Sequence, residues 1–119
     1  MSCFWDTLKK NLNIKSCTKD FIIDLKNKNS KTKLVLWNNN KLSNKQLNEN
    51  YNHIKTLDEN NYNNGYYCST CEPILFLVCK IYKVNIHHRY LNNTMIYENK
   101  YKNTKCNTIF IHSNEGHMW

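Results

Sequence analysis

The run Pro73-Ile74-Leu75-Phe76-Leu77-Val78-Cys79-Lys80-Ile81-Tyr82-Lys83 constrains the fold of this chain more than any other segment. Proline suits the first turn of a helix, where its missing N–H has no partner to lose. The residues after it are apolar on nearly every side. Such a helix has no face to give to water, so it belongs at the centre of a domain with other elements around it. At Val84 the period changes. Val84-Asn85-Ile86-His87-His88-Arg89-Tyr90 alternates as a half-buried strand does. A central helix that runs directly into a strand calls for both helices and sheet.

The flanking segments supply them. Phe4, Leu8 and Leu12 recur at i, i+4 and i+8, which predicts a helix from Phe4 to Leu12 with Ser2 as its N-cap and Lys9 and Lys10 facing water. Thr18 is placed to cap a second helix carrying Phe21, Ile22 and Leu25. A polar loop follows from Lys26 to Lys33. Leu34-Val35-Leu36-Trp37 is apolar but too short for its period to decide its type. Ser43 caps a helix running through Leu47, Tyr51, Ile54 and Leu57, and Asp58 to Gly65 is an Asn-rich loop. After the Val84–Tyr90 strand, Asn92-Asn93 signals a turn. Met95-Ile96-Tyr97 returns as a second strand and Thr108-Ile109-Phe110-Ile111 makes a third. Asn114-Glu115-Gly116 turns the chain again, so that His117-Met118-Trp119 starts a fourth. The expected class is α+β, with helices packed on a small antiparallel sheet and residues 1–119 forming a single domain.

Charge is less informative than it looks. The net charge is +8, yet only Arg89 is an arginine and the remaining sixteen basic residues are lysines. Lys and Asn codons are A/T-rich, so genome bias accounts for much of this. The lysines are scattered along the first half and not gathered between stacking aromatics, which argues against a specific nucleic-acid interface. No run of about 18 apolar residues is present, so no membrane span is expected. The start of the chain lacks the basic and apolar segments of a signal peptide. A cytoplasmic location with reduced cysteines follows as the expectation.

The candidate chemistry sits at the two ends. Cys3 opens a helix, where the partial positive charge of the first turn favours a thiolate. His117 opens a late strand. If the fold joins them, the imidazole can take the thiol proton and return it to a leaving group, which is the logic of a Cys-His hydrolase. Asn114 is the one local side chain that offers to orient His117. A second constellation competes. Cys68-Ser69-Thr70-Cys71 has the spacing of zinc ligands, with Cys79, His87, His88 and Cys106 as further donors. No second Cys-x-x-Cys accompanies it, Cys79 reads as a core residue, and His87 and His88 point to opposite faces of one strand. No metal or other cofactor is therefore expected, with Cys68 and Cys71 as the weaker metal-binding alternative.

These pieces together resemble the OTU (ovarian tumour) family of papain-like cysteine proteases, viral members in particular. Ser2-Cys3-Phe4-Trp5-Asp6-Thr7-Leu8 is similar to the second half of the motif that opens the family's catalytic helix. Gly65-Tyr66-Tyr67 and Glu72-Pro73-Ile74-Leu75-Phe76-Leu77-Val78 match its aromatic loop and following helix. Ile81-Tyr82-Lys83-Val84-Asn85-Ile86 matches its helix-to-strand passage, and Gly116-His117-Met118-Trp119 resembles its catalytic histidine with bulky neighbours. The resemblance implies a papain-like fold and hydrolysis of isopeptide or peptide bonds by Cys3 and His117. Its implied partners are ubiquitin, a ubiquitin-like protein or a polyprotein, in the host cytoplasm, with the chain itself an excised part of a polyprotein as one possibility. Two positions depart from the pattern: Met1 and Ser2 stand where the family has an Asp-Gly loop, and Trp119 stands where an orienting Asp or Asn can follow the histidine. A catalytically inactive interaction module on the same scaffold, and a zinc-stabilised basic binding domain, are the alternative readings.

Overall fold

A computed structural model describes residues 3–62, 65–100 and 106–119. The Ser2 cap expected above lies outside them. The chain forms α1 (Cys3–Leu12), α2 (Thr18–Asn27), β1 (Val35–Trp37), β2 (Asn40–Lys41), α3 (Asn44–Lys55), α4 (Pro73–Tyr82), β3 (Val84–Tyr90), β4 (Asn93–Asn99) and β5 (Asn107–Ser113). This is an α+β domain with one five-stranded sheet in the order β2-β1-β4-β3-β5.

The central helix is where its composition puts it. Ile74, Leu75, Phe76, Leu77, Val78 and Cys79 of α4 are all buried. The helix starts on Pro73, and the carboxylate of Glu72 caps it by accepting the Ile74 N–H at 2.9 Å. It ends on Lys83, whose left-handed backbone (φ 55°) turns the chain straight into β3. Asn99 of β4 seals that corner: its Nδ2 donates to the Cys79 C=O at 3.1 Å and to the Val84 C=O at 2.6 Å. The inner face of the sheet carries Val35, Ile86, Met95, Tyr97, Ile109 and Ile111, all buried. Phe4, Trp5 and Leu8 of α1 and Phe21, Ile22 and Leu25 of α2 complete the same core.

Several expectations need correction. The sheet is mixed, not antiparallel: β3 pairs antiparallel with β4, but β5 lies on its other side and runs parallel to it, from Val84↔Asn107 to Tyr90↔Ser113. β4 ends at the Val84 end of β3, so a strand starting there on the far side must run parallel to β3. Thr18 does not cap α2; it is the first helical residue, and Cys17 stands at the cap without a side-chain bond. α3 stops at Lys55, short of Leu57, although Ser43 caps it as expected by accepting the Gln46 N–H at 3.1 Å. The β3–β4 turn falls on Leu91 and Asn92, with Leu91 at φ 52°, and Asn93 already belongs to β4. The ambiguous Leu34–Trp37 run becomes β1. It returns as β2 through Asn38 and Asn39, both at positive φ, the two-residue hairpin turn that asparagine tolerates. The expected fourth strand is reduced to an isolated bridge, Ser113↔Met118.

Candidate functional site

Two anchors bring the ends of the chain together. The first fixes α1. Trp5 is 2% exposed and packs edge-on against Phe4 and Phe21, with ring centroids 5.0 and 6.1 Å away. The ring of Tyr66 covers both Phe4 (4.6 Å) and Trp5 (5.6 Å) from the loop before α4. The second anchor fixes the segment after β5. The Trp119 N–H donates to the His112 C=O, and the His112 N–H donates to the Trp119 C=O, each at 2.8 Å. The turn between them is closed by the Asn114 N–H on the His117 C=O at 2.9 Å and the Gly116 N–H on Asn114 Oδ1 at 3.1 Å. Met118 is buried, and its C=O accepts the Thr7 hydroxyl of α1 at 3.3 Å.

With both anchors in place, Cys3 Sγ lies 3.5 Å from His117 Nδ1, across 114 residues of sequence. Cys3 is half-buried and His117 is exposed, at the mouth of a cleft of about 1040 Å³ that both residues line. Cys3 is the first residue of α1, so the N–H groups of the opening turn, which have no acceptor within the helix, lie beside the sulfur. Asn114, expected to orient the histidine, acts through the backbone: its Oδ1 is taken by Gly116, and its own N–H holds the His117 carbonyl. Trp119 instead lies flat against the imidazole, 5.5 Å between centroids and 19° between planes.

The Thr7–Met118 bond ties α1 to the segment after β5, beside the Cys3–His117 contact itself. Thr7→Val keeps the shape and removes the donor, leaving a buried carbonyl unsatisfied. A loss of about 1–2 kcal/mol in urea unfolding is expected.

The cleft wall is held by Glu72, which is fully buried. Its carboxylate accepts the Ser69 N–H (2.9 Å), the Ile74 N–H (2.9 Å) and the Tyr66 hydroxyl (2.7 Å). The Tyr66 oxygen also meets His53 Nε2 of α3 at 2.7 Å. Tyr97 adds a brace, its hydroxyl accepting the Glu72 N–H and donating to the Thr70 C=O. Sequence reasoning singled out Glu72 only as a motif residue before a helix. The signal for its structural role was the acidic residue directly before Pro73.

Burial raises the Glu72 carboxyl above the usual carboxylate range, against the opposing pull of the Ile74 and Ser69 N–H groups and Tyr66. The folded state therefore holds a proton that the unfolded chain has already released. Over that interval the group's contribution to stability falls as pH rises. Glu72→Gln removes the titration. Its unfolding midpoint, measured from about pH 4 to about pH 7, should lack the part of the wild-type slope that this carboxyl supplies.

A second pair lines the same cleft. His88 is buried and faces inward, while His87 turns outward against Phe110, 5.3 Å between centroids, as the strand alternation requires. His88 Nε2 meets Ser113 Oγ at 2.6 Å and Nδ1 lies 4.0 Å from Cys68 Sγ. Burial, and then the nearby His112, push His88 below the ordinary histidine range. Burial and Glu72 push the Cys68 thiol well up and the Cys71 thiol up to about 11. In the metal-free protein both are thereby kept as thiols. Cys79 lies at the core under the Tyr97 C=O. Among the described residues, no three His, Cys, Asp or Glu side chains are gathered as metal ligands would be. No helix among them is long and apolar enough to cross a membrane.

No protein-family model matches this chain, and no curated protein or solved structure matches it either.

Proposed function

We propose that this domain is a papain-like cysteine peptidase of OTU type, with Cys3 as nucleophile and His117 as base and then acid. The observation that carries the reading is the 3.5 Å approach of Cys3 Sγ to His117 Nδ1 at the rim of an open cleft. That spacing suits direct proton transfer. In the reaction, the Cys3 proton passes to His117 Nδ1 and sulfur bonds to the substrate carbonyl carbon. The oxyanion is met by N–H groups at the start of α1. Collapse breaks the C–N bond, and the leaving amine takes the proton from Nδ1. Water then attacks the thioester, gives its proton to Nδ1 and releases the acid, with the Cys3 sulfur as leaving group. The proposed substrates are isopeptide or peptide bonds of ubiquitin or a ubiquitin-like protein, or a junction in a viral polyprotein, and the proposed setting is the host cytoplasm.

A ubiquitin carrying a C-terminal electrophile tests this directly. Covalent capture at Cys3, located by peptide mass spectrometry and abolished in Cys3→Ala, is the expected result. Folded protein that is never captured, and cleaves no ubiquitin or peptide substrate, removes the peptidase. The second reading, a binding module that has lost catalysis, is favoured by Asn114 Oδ1 accepting from the Gly116 N–H, with no side-chain hydrogen bond to the imidazole among the described residues. It expects partner binding that Cys3→Ala leaves unchanged.

A further inference from the structure

We infer that Trp119 is the positioning residue of His117, doing by stacking what an orienting carboxylate or amide does by hydrogen bonding. The inference rests on the peptidase reading of Cys3 and His117 and adds the element that holds the imidazole toward the sulfur. His117 is exposed and sits in a turn, so its ring has rotational freedom unless something takes it away. Asn114 does not, because its Oδ1 closes the turn on the Gly116 N–H. Trp119 does. Its indole is stacked near-parallel with His117, 5.5 Å away at 19°, and with His112 of β5, 5.9 Å away at 14°.

The column His112–Trp119–His117 is tied to the sheet at its base. The paired backbone bonds between His112 and Trp119, each 2.8 Å, make residue 119 an added rung on β5. β5 is itself paired with β3 along its whole length. An imidazole lying flat on a fixed indole can slide but not rotate out of plane, so Nδ1 stays directed at Cys3. Stacking also survives the proton cycle. A neutral ring stacks on the indole, and the imidazolium formed during the reaction gains attraction from its π face. Among the described titratable groups, Cys3 of α1 meets the ring, His112 stacks on the same indole, and Glu115 in the turn lines the same cleft. None of these is shown hydrogen-bonded to the far side of the imidazole among the described residues.

The test compares Trp119→Leu and Trp119→Phe in the full chain. Trp119 is 54% exposed, so neither change should unfold the protein, and circular dichroism checks that. Three readouts are taken. The first is the NMR shift of the His117 ring protons, which an indole stacked on the imidazole moves upfield. The second is the rate at which iodoacetamide alkylates Cys3, followed by peptide mass spectrometry. The third is turnover of a ubiquitin substrate.

In Trp119→Leu the ring protons should move downfield and alkylation should slow. Turnover should fall about tenfold to a hundredfold in kcat with KM little changed, as expected when a reacting group is misplaced by a fraction of its reach. Trp119→Phe should restore most of all three. Ring protons and alkylation that do not respond to Trp119→Leu overturn the inference. So does a phenylalanine variant as impaired as the leucine one, which would assign Trp119 to strand pairing alone. If the wild type cleaves no substrate while shift and alkylation still depend on residue 119, the peptidase reading falls and the positioning role stands.

Discussion

His117→Ala is expected to cut kcat/KM on a ubiquitin or peptide substrate by at least about a thousandfold, the upper range for removing a general base that is also the general acid. Because His117 is exposed and its anchoring bonds are made by the backbone, alanine keeps the turn and the fold. Thermal melts of the two proteins should therefore superimpose. That combination, intact fold with lost turnover, separates a chemical role from a structural one. Cys3→Ser should fall as far, since an alcohol gives up its proton much less readily than a thiol. A His117→Ala protein that turns over at the wild-type rate would leave the sulfur and imidazole as neighbours with no shared chemistry. The same variant should also be captured slowly by the ubiquitin electrophile, because Cys3 would lack its proton acceptor.

Trp5→Ala is the largest expected change in stability, about 3–5 kcal/mol by denaturant unfolding. The indole is nearly fully enclosed and touches Phe4, Phe21 and Tyr66 at once. The cavity cannot collapse easily, because Tyr66 is held away from it by Glu72 and His53 and Phe21 belongs to a second helix. A small domain has about 5–15 kcal/mol in total, so this one substitution removes a large part of it. It also reaches the site. Trp5 is two residues after Cys3 on α1, and loosening that helix moves the sulfur relative to an imidazole held in the turn that follows β5. Turnover of the folded fraction should drop along with stability. Trp5→Phe, which refills much of the space, should recover both in parallel. A Trp5→Ala protein with wild-type stability would mean that α1 is held by something other than this aromatic cluster.

Much of the architecture was readable because it is local. The apolar circumference of Pro73–Tyr82 placed α4 at the centre, and the alternation from Val84 to Tyr90 gave β3 its bounds and put His87 and His88 on opposite faces, though not which of them is buried. Ser43 was legible as a cap from its own chemistry and position. The β1–β2 hairpin does not follow from the apolar Leu34–Trp37 run alone, although Asn38 and Asn39, both at positive φ, are residues such a turn favours. The alternation of β3 was legible, but not that His88 would be the buried histidine or that it would meet Ser113 of β5 and Cys68 of the loop before α4.

The residues themselves determined the helices, the strand faces and the class of chemistry on offer, because periodicity, caps and a thiol at a helix start act within a few positions of one another. The tertiary structure alone decided that β5 runs parallel beside β3, that Thr7 reaches Met118, and that Cys3 and His117 end 3.5 Å apart. Those pairings join segments far apart in the chain. Their partners are selected by which buried surfaces and backbone edges remain to be covered once the local elements exist, and no short window of sequence contains that competition.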